Sequence, residues 1–136
     1  MTQKDKELLL KDLCARLPYG VKCQHFNDKI PYALLGIDED VLHIDCPVYD
    51  EGDGYVEIEY CKPYLRAMSN MTEEEEKEYK TISIWGEVRE SKSHYTDICP
   101  TIEGYDWLNA HHFDYRGLIE KGLAIEVTEE NNPYKD

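Results

Sequence analysis

The sequence predicts a single α+β domain in which a small antiparallel sheet of about four to five strands packs against an N-terminal helix and C-terminal helices. Three features predict this class: an amphipathic helical pattern at the start of the chain, a series of short segments with period-two alternation, and helical patterns in the last third. The chain has 136 residues, about the length of one domain. We therefore expect residues 1–136 to form one unit.

The N-terminal helix is predicted over residues 4–17. Its apolar side chains recur at i, i+1, i+4, i+5 and i+8, which places them on one face of a helix. They are Leu9, Leu10, Leu13, Cys14 and Leu17. Pro18 and Gly20 follow and predict the end of the helix.

Four segments then have strand patterns, at residues 21–25, 32–37, 41–46 and 55–61. Asn, Asp and Gly lie between them and tolerate turn geometries. Connections this short favour an antiparallel meander, because parallel strands need long crossovers. The acidic turn at 50–54 lacks the ordered ligands of an EF-hand loop, so it predicts a hairpin rather than a calcium site.

Two further helices are predicted. Thr72 and Glu75 form a capping box in front of an acidic helix at residues 73–80. A second helical pattern covers residues 103–112. The four glutamates that open the first of these helices favour the positive end of its dipole, so they are interpreted as a solvated first turn.

Two segments lack a regular pattern. Residues 81–101 are mostly polar, carry both signs of charge and predict an irregular loop. The polar tail at 128–136 predicts a frayed end.

Residues 107–127 are the densest part of the chain in aromatic, apolar and ionisable side chains. Asp114 lies where two helical patterns meet, so its carboxylate is expected to accept from the free N–H groups of a helix that begins at Tyr115. Gly122 predicts a left-handed end to that helix. A strand is expected at residues 124–127.

Residues 111–116 bring acid, base and hydrogen-bond donor groups close together in sequence. A histidine paired with Asp114 could orient a general base, although a nucleophile and an oxyanion donor would still be required. In the structural alternative, one histidine packs in the core, Asp114 caps the next helix and Arg116 pairs with a carboxylate. No catalytic residue is assigned. The candidate binding residues are His111, His112, Asp114, Tyr115, Arg116, Tyr64 and Arg66.

Metal and cofactor sites are not predicted. Adjacent residues on a helix point about 100° apart, so His111 and His112 do not readily share a metal ion. The glycine motifs that bind nucleotide phosphates are absent from the sequence. The sequence has five cysteines, an odd number, and no Cys-x-x-Cys pair. This pattern is typical of reduced core thiols in a cytosolic protein.

The net charge of the chain limits the classes of molecule that it is expected to bind. Lys and Arg total 15 against 29 Asp and Glu, which gives a formal net charge of -14. Direct nucleic-acid binding is not expected, since phosphate contacts require Lys and Arg. The charge either maintains solubility or steers the protein towards a basic protein patch. No apolar run approaches the length of a membrane span, so a cytoplasmic protein is predicted.

Three sequence blocks, residues 8–23, 62–75 and 107–124, cover roughly a third of the chain. They resemble a family of short uncharacterised proteins from gut Bacteroidales and their phages and mobile elements. The resemblance implies a compact accessory protein in a bacterial or phage cytosol. It implies no activity, so it adds no catalytic residue.

Three functional hypotheses follow. The first is a non-enzymatic protein, phage- or mobile-element-derived, whose acidic surface binds and modulates a host protein. The second is a small hydrolase or transferase that uses a His, Asp and Tyr site near residues 111–116. The third is a structural protein that forms homo-oligomers through a sheet edge.

Overall fold

The structure is a computed structural model that describes residues 1–25, 30–39, 41–45, 54–83 and 102–134. Within these residues the chain has the predicted α+β fold, although the sheet has seven strands rather than four or five. The helices are α1 Gln3–Arg16, α2 Glu73–Ser83 and α3 Ile102–Ala110. The strands are β1 Lys22–His25, β2 Tyr32–Asp38, β3 Val41–Ile44, β4 Gly54–Glu57, β5 Cys61–Ala67, β6 Phe113–Asp114 and β7 Ile125–Glu126.

The first four strands form the predicted antiparallel meander. β1 pairs with β2, β2 with β3 and β3 with β4, each antiparallel. The order of hydrogen-bonded strands is β4-β3-β2-β1-β5-β6, and β7 also pairs with β5. The predicted turn at 50–54 lies outside the described residues except for Gly54, which begins β4.

β5 departs from the all-antiparallel prediction. It pairs antiparallel with β1, where Cys23 lies opposite Pro63, but it pairs parallel with both β6 and β7. Parallel neighbours need a long crossover, and the chain supplies one by passing through α2 and α3 between β5 and β6. The expectation of a purely antiparallel sheet is therefore wrong for this half of the fold.

α1 covers one face of the sheet, but its buried face is rotated from the predicted one. Leu9 and Leu13 are fully buried in the main core, together with the inward residues of the strands. Asp12 and Arg16 complete the buried face at i, i+3, i+4 and i+7. Cys14, which was expected in the core, is exposed. The helix therefore places an acidic and a basic side chain, Asp12 and Arg16, in the interior.

Two other cysteines behave as predicted. Cys23 in β1 and Cys61 in β5 are buried and free of disulfides. Burial raises the pKa of the Cys61 thiol to about 12 and raises that of Cys23 as well. Both thiols stay protonated at neutral pH, which suits packing rather than reactivity.

A second, smaller core joins α2, α3 and β6. It contains Tyr79, Trp107, Leu108 and Phe113, with Trp107 stacked on Phe113 at 5.7 Å between ring centroids. The predicted capping box of α2 is present, because Thr72 and Glu75 exchange their backbone and side-chain hydrogen bonds. In the described ranges, no helix is long and apolar enough to cross a bilayer.

Residues 115–122 form a turn instead of the predicted helix. The N–H of Gly122 donates to the Ile119 carbonyl at 3.1 Å, and that of Leu123 donates to the Leu118 carbonyl at 2.9 Å. This pair of bonds is a Schellman ending, and Gly122 has the predicted left-handed backbone with φ of 74°. The left-handed ending at Gly122 was therefore predicted correctly, whereas residues 115–121 do not form the predicted helix. α2 extends to Ser83, so it includes the first three residues of the predicted loop at 81–101. The rest of that predicted loop lies outside the described residues.

We expect Gly122→Ala to lower the free energy of unfolding by about 1 to 2 kcal/mol, because a Cβ is strained in the left-handed region. Urea denaturation followed by circular dichroism measures the change. Gly36→Ala is the matched control, since its φ is not positive and its new Cβ would meet the His43 Cβ at an ordinary 3.9 Å. An equal loss of stability in the two variants would contradict the assignment of strain to Gly122.

Candidate functional site

A buried ionic network joins α1 to β6 and the turn that follows it. Arg16 Nε donates to Asp12 Oδ2 at 2.7 Å, and both side chains are fully buried. Arg16 Nη2 donates to the Phe113 carbonyl at 2.6 Å. Arg116 Nε donates to the second oxygen of Asp12 at 3.1 Å. One carboxylate thus holds two guanidinium groups, and Arg116 has the carboxylate partner that the structural interpretation predicted.

Tyr115 extends this network towards α3. Its hydroxyl donates to Asn109 Oδ1 at 2.9 Å and accepts from Arg116 Nη2 at 3.2 Å. The guanidinium carbons of Arg16 and Arg116 lie 5.2 Å and 4.9 Å from the centroid of its ring. The ring therefore lies within reach of both cations, which is a stabilising arrangement when the groups are partly dehydrated.

The Asp114 carboxylate is hydrogen-bonded to the backbone of the turn that follows it. Its two carboxylate oxygens accept from the N–H groups of Leu118 and Ile119, each at 2.9 Å. The side chain is buried, and these bonds orient it towards the turn. Asp114 therefore accepts from backbone N–H groups as predicted, although these belong to a turn and not to a helix that begins at Tyr115. This geometry weakens the hypothesis that Asp114 orients a histidine base.

A pocket opens on the other side of the 110–112 segment. Its volume is about 580 Å³, within the range of small-molecule sites. It lies between the end of α3, the end of β5 and the C-terminal tail. Its polar and aromatic lining includes Arg66, His111, His112, Glu129, Asn132 and Tyr134.

His112 forms the inner wall of this pocket in an uncommon backbone conformation. Its φ is 62°, in the left-handed region, and its carbonyl accepts from the Arg66 N–H at 2.7 Å. The imidazole stacks on the Tyr134 ring with 3.6 Å between centroids and 8° between planes. His112 Nδ1 is buried and has no hydrogen-bond partner among the described residues. The ring is therefore positioned by stacking and by its backbone.

Burial and nearby positive charge keep this imidazole neutral. Burial is the largest cause, and together with cationic neighbours it lowers the pKa of His112 to about 4. The contributing neighbours are Arg16, His111, Arg66 and Lys22.

Tyr134 attaches the C-terminal tail to the sheet, contrary to the expectation that residues from 128 onward would fray. Its hydroxyl accepts from the Lys22 N–H at 2.9 Å and donates to the Tyr64 carbonyl at 2.8 Å. Since Cys23 pairs with Pro63, Lys22 and Tyr64 are the next positions in register. The hydroxyl therefore bridges β1 and β5 where their direct pairing ends, and burial raises the pKa of this phenol.

Arg66 and His111 form the outer wall. Arg66 makes two hydrogen bonds to the Glu75 carboxylate, at 2.8 Å and 2.7 Å, and lies 4.1 Å above the Phe113 ring. These bonds lower the pKa of the Glu75 carboxyl. His111 stacks on Trp107 at 4.0 Å, and its Nδ1 is 2.9 Å from the Trp107 carbonyl. A proton on Nδ1 satisfies that carbonyl and leaves Nε2 as an acceptor.

The predicted site residues therefore separate into two groups. Arg66, His111 and His112 line the pocket. Asp114, Tyr115 and Arg116 belong to the buried network and the turn, and Tyr64 is buried in β5. The residues that the sequence analysis missed are Asp12, Arg16, Asn109, Asn132 and Tyr134.

A signal existed for two of the missed residues. Asp12 and Arg16 are spaced i, i+4 on the same side of α1 as Leu9 and Leu13, so they could have been interpreted as a buried pair. No comparable local signal marks Tyr134, because its partners are 112 and 70 positions away. Among the residues that the structure describes, no group of His, Cys, Asp and Glu side chains is arranged to hold a metal ion.

Asp12→Asn is expected to lower the free energy of unfolding by about 3 to 5 kcal/mol, because it leaves two guanidinium groups without a buried counter-charge. Chemical denaturation measures the loss. Glu76→Gln makes the same acid-to-amide change in the exposed i, i+4 pair with Lys80 and should cost about 0.5 kcal/mol or less. Similar costs for the two substitutions would show that the Asp12 network does not stabilise the fold.

His112→Phe should make the protein less sensitive to acid. In wild type the unfolded imidazole binds a proton near its ordinary pKa of 6.5, whereas the folded one does so only near 4. Between these values the unfolded state holds more protons, so wild-type stability falls as the pH falls. Phe keeps a ring against Tyr134 but cannot titrate.

The expected gain of His112→Phe over wild type is about 1 to 2 kcal/mol near pH 4.5 relative to pH 8, after allowance for solvent screening. Urea titrations of both proteins at several pH values measure the difference. The lowered pKa of His112 is refuted if the two stability curves stay parallel from pH 8 to the acid limit.

The chain was compared with protein-family models, with curated proteins and with solved structures, and none of the three comparisons found a match. The family resemblance seen in the sequence blocks therefore stays a prediction, and the role of the site is argued from its own geometry.

Proposed function

We propose that this protein is a non-enzymatic accessory protein that binds a basic protein partner through the outer surface of α2 and α3. The observation that carries the proposal is an exposed apolar pair on α3 with acidic neighbours. Ile102 is 81% exposed and Tyr105 is 41% exposed, one helical turn apart. Glu103 and Asp106 lie beside them, are exposed, and form no ion pair within the described part of the chain.

α2 packs beside α3 and carries further exposed carboxylates. Glu73, Glu74 and Glu78 are exposed on it, and Glu78 lies against α3 because its Oε1 accepts from Trp107 Nε1 at 2.5 Å. An aromatic and an aliphatic anchor surrounded by charge is a common composition for a protein interface. The acidic rim would accelerate association with a basic partner and select against acidic ones. We call the exposed side chains of α2 and α3 the acidic helical surface.

The geometry gives less support to the enzyme hypothesis. Within the described residues, Asp114 is bonded to two backbone N–H groups and Arg116 to Asp12 and Tyr115, and neither is bonded to His112. Tyr115 donates its hydroxyl proton to Asn109. These residues hold the turn in place, which is the structural interpretation of the cluster.

A sheet-edge homo-oligomer is the competing proposal. β4 ends the strand order within the described residues, and Tyr55 on it is 70% exposed. Light scattering over a range of protein concentrations separates the two proposals. A mass that rises with concentration favours assembly through the edge, whereas a constant monomer mass favours binding of another protein.

Charge reversal on α3 tests the proposed function. The double variant Glu103→Lys, Asp106→Lys should lose a stoichiometric partner that wild type captures from a Bacteroidales lysate, with or without phage infection. The captured partner should dissociate as the salt concentration rises, because screening weakens exposed charge pairs. Quantitative mass spectrometry of the bound fraction provides the measurement.

The matched control is Glu57→Lys, Glu126→Lys, which makes the same change in net charge at two exposed positions on β4 and β7. It should retain the partner. Tyr105→Ala should weaken capture and Tyr55→Ala should not, since both remove an exposed tyrosine but only the first lies on α3. Equal losses in the α3 variant and its control, or no captured partner at low salt, would rule out a specific acidic helical surface.

A further inference from the structure

Cationic side chains lie around His112 although the whole chain carries a net charge of -14. Arg66 lines the pocket, and Arg16 and Lys22 lie close enough to lower the pKa of the imidazole together with Arg66. Glu129 also lines the pocket, but it is not among the groups that shift the histidine.

Arg66, Arg16 and Lys22 are held by hydrogen bonds to other groups, and the two arginines keep N–H donors that these bonds do not use. Arg66 gives two of its five N–H donors to Glu75, so three remain. Arg16 Nη1 is fully buried and has no hydrogen-bond partner among the described residues. Lys22 Nζ donates to the Pro133 carbonyl at 3.2 Å, which keeps its charge beside the tail. Arg16 and Lys22 do not line the pocket, so they act on it through their charge, and the guanidinium donors that a ligand in the pocket can reach are those of Arg66.

We propose that this pocket binds a small organic anion, whose carboxylate or phosphate oxygens lie between Arg66, His112 and the Asn132 amide. The volume of about 580 Å³ accommodates a small-molecule body beyond the charged group. The stacked pair of His112 and Tyr134 provides a flat wall for that body. This site is separate from the acidic helical surface, so either assignment can fail without the other.

His112 would contribute one hydrogen-bond donor, because its neutral imidazole carries a single N–H. An anion beside the ring offsets the surrounding cations and raises the pKa of His112, so binding takes up a proton below neutral pH. The affinity for the anion should therefore increase as the pH falls from neutral towards about 5.

The test is an NMR titration of the imidazole Cε1–H and Asn side-chain signals at constant ionic strength. The probes are benzoate for the carboxylate class and inorganic phosphate for the phosphate class, with benzamide as the neutral analogue of benzoate and chloride as the salt control. At least one anionic probe should saturate the His112 and Asn132 signals. The probe that binds more tightly identifies the class of anion.

Asn132→Asp provides the critical variant. Its Oδ1 accepts from the Tyr134 N–H at 2.9 Å, and a carboxylate keeps that bond while it adds a negative charge to the pocket. We expect it to weaken anion binding by about tenfold, the effect of one like charge at short range. Asn131→Asp adds the same charge at an exposed neighbour that does not line the pocket. It keeps the oxygen that accepts from Thr128 but loses the Nδ2 donor to the Glu126 carbonyl, and it should change affinity by about twofold or less.

Three results would overturn the proposal. One is the absence of saturable shifts with either anion at about 100 mM, the weak limit for a small fragment. Another is equal binding of benzamide and benzoate, which would show that the charge is not recognised. The third is an equal loss of affinity in Asn132→Asp and Asn131→Asp, which would assign the effect to net charge alone.

Discussion

The buried carboxylate of Asp12 is the constraint on which the rest of the structure depends. It is fully buried and holds Arg16 from its own helix and Arg116 from the turn after β6. A buried ion pair adds little net stability compared with apolar packing, because both charges must be dehydrated. Its contribution is specificity: α1 can slide or rotate on the sheet only if it leaves a charge unpaired. The same Arg16 bonds the Phe113 carbonyl, so the position of α1 also fixes β6.

Both ends of the described chain converge on residues 112 and 113. Arg16, near the N-terminus, bonds to the Phe113 carbonyl, and Tyr134, near the C-terminus, stacks on His112. β5 joins them, since the Arg66 N–H donates to the His112 carbonyl. The left-handed backbone of His112 costs about 1 to 2 kcal/mol, so it persists because these three contacts determine it together. These contacts therefore position His112 in the pocket wall.

Local signals in the sequence predicted local structure, and distant partners explain what was missed. The Thr72 capping box and the left-handed Gly122 depend on residues within five positions, and both were predicted. β5 was not predicted beyond its first residue, Cys61, because Pro63 cannot donate to a ladder and usually argues against a central strand. Tyr134 was missed because its polar hydroxyl predicts exposure to solvent, whereas its hydrogen-bond partners lie 112 and 70 positions away. Asp12 was missed because its polarity also predicts solvent, although its spacing from Arg16 offered a local signal. The seven candidate residues were divided between network and pocket by a fold that sequence spacing does not specify.

An acidic chain can contain a pocket surrounded by cations, because solvent and salt screen exposed charges more strongly than buried ones. Exposed carboxylates are screened beyond a Debye length of about 8 Å at physiological salt, so they act on a partner that touches their surface. The cations around His112 are partly or fully buried and are screened less, so their field persists inside the pocket. Net repulsion would slow the approach of an anion without removing its affinity once it is inside. A basic protein on the acidic helical surface would reduce that repulsion, which makes the entry of an anion faster in the complex than in the free protein.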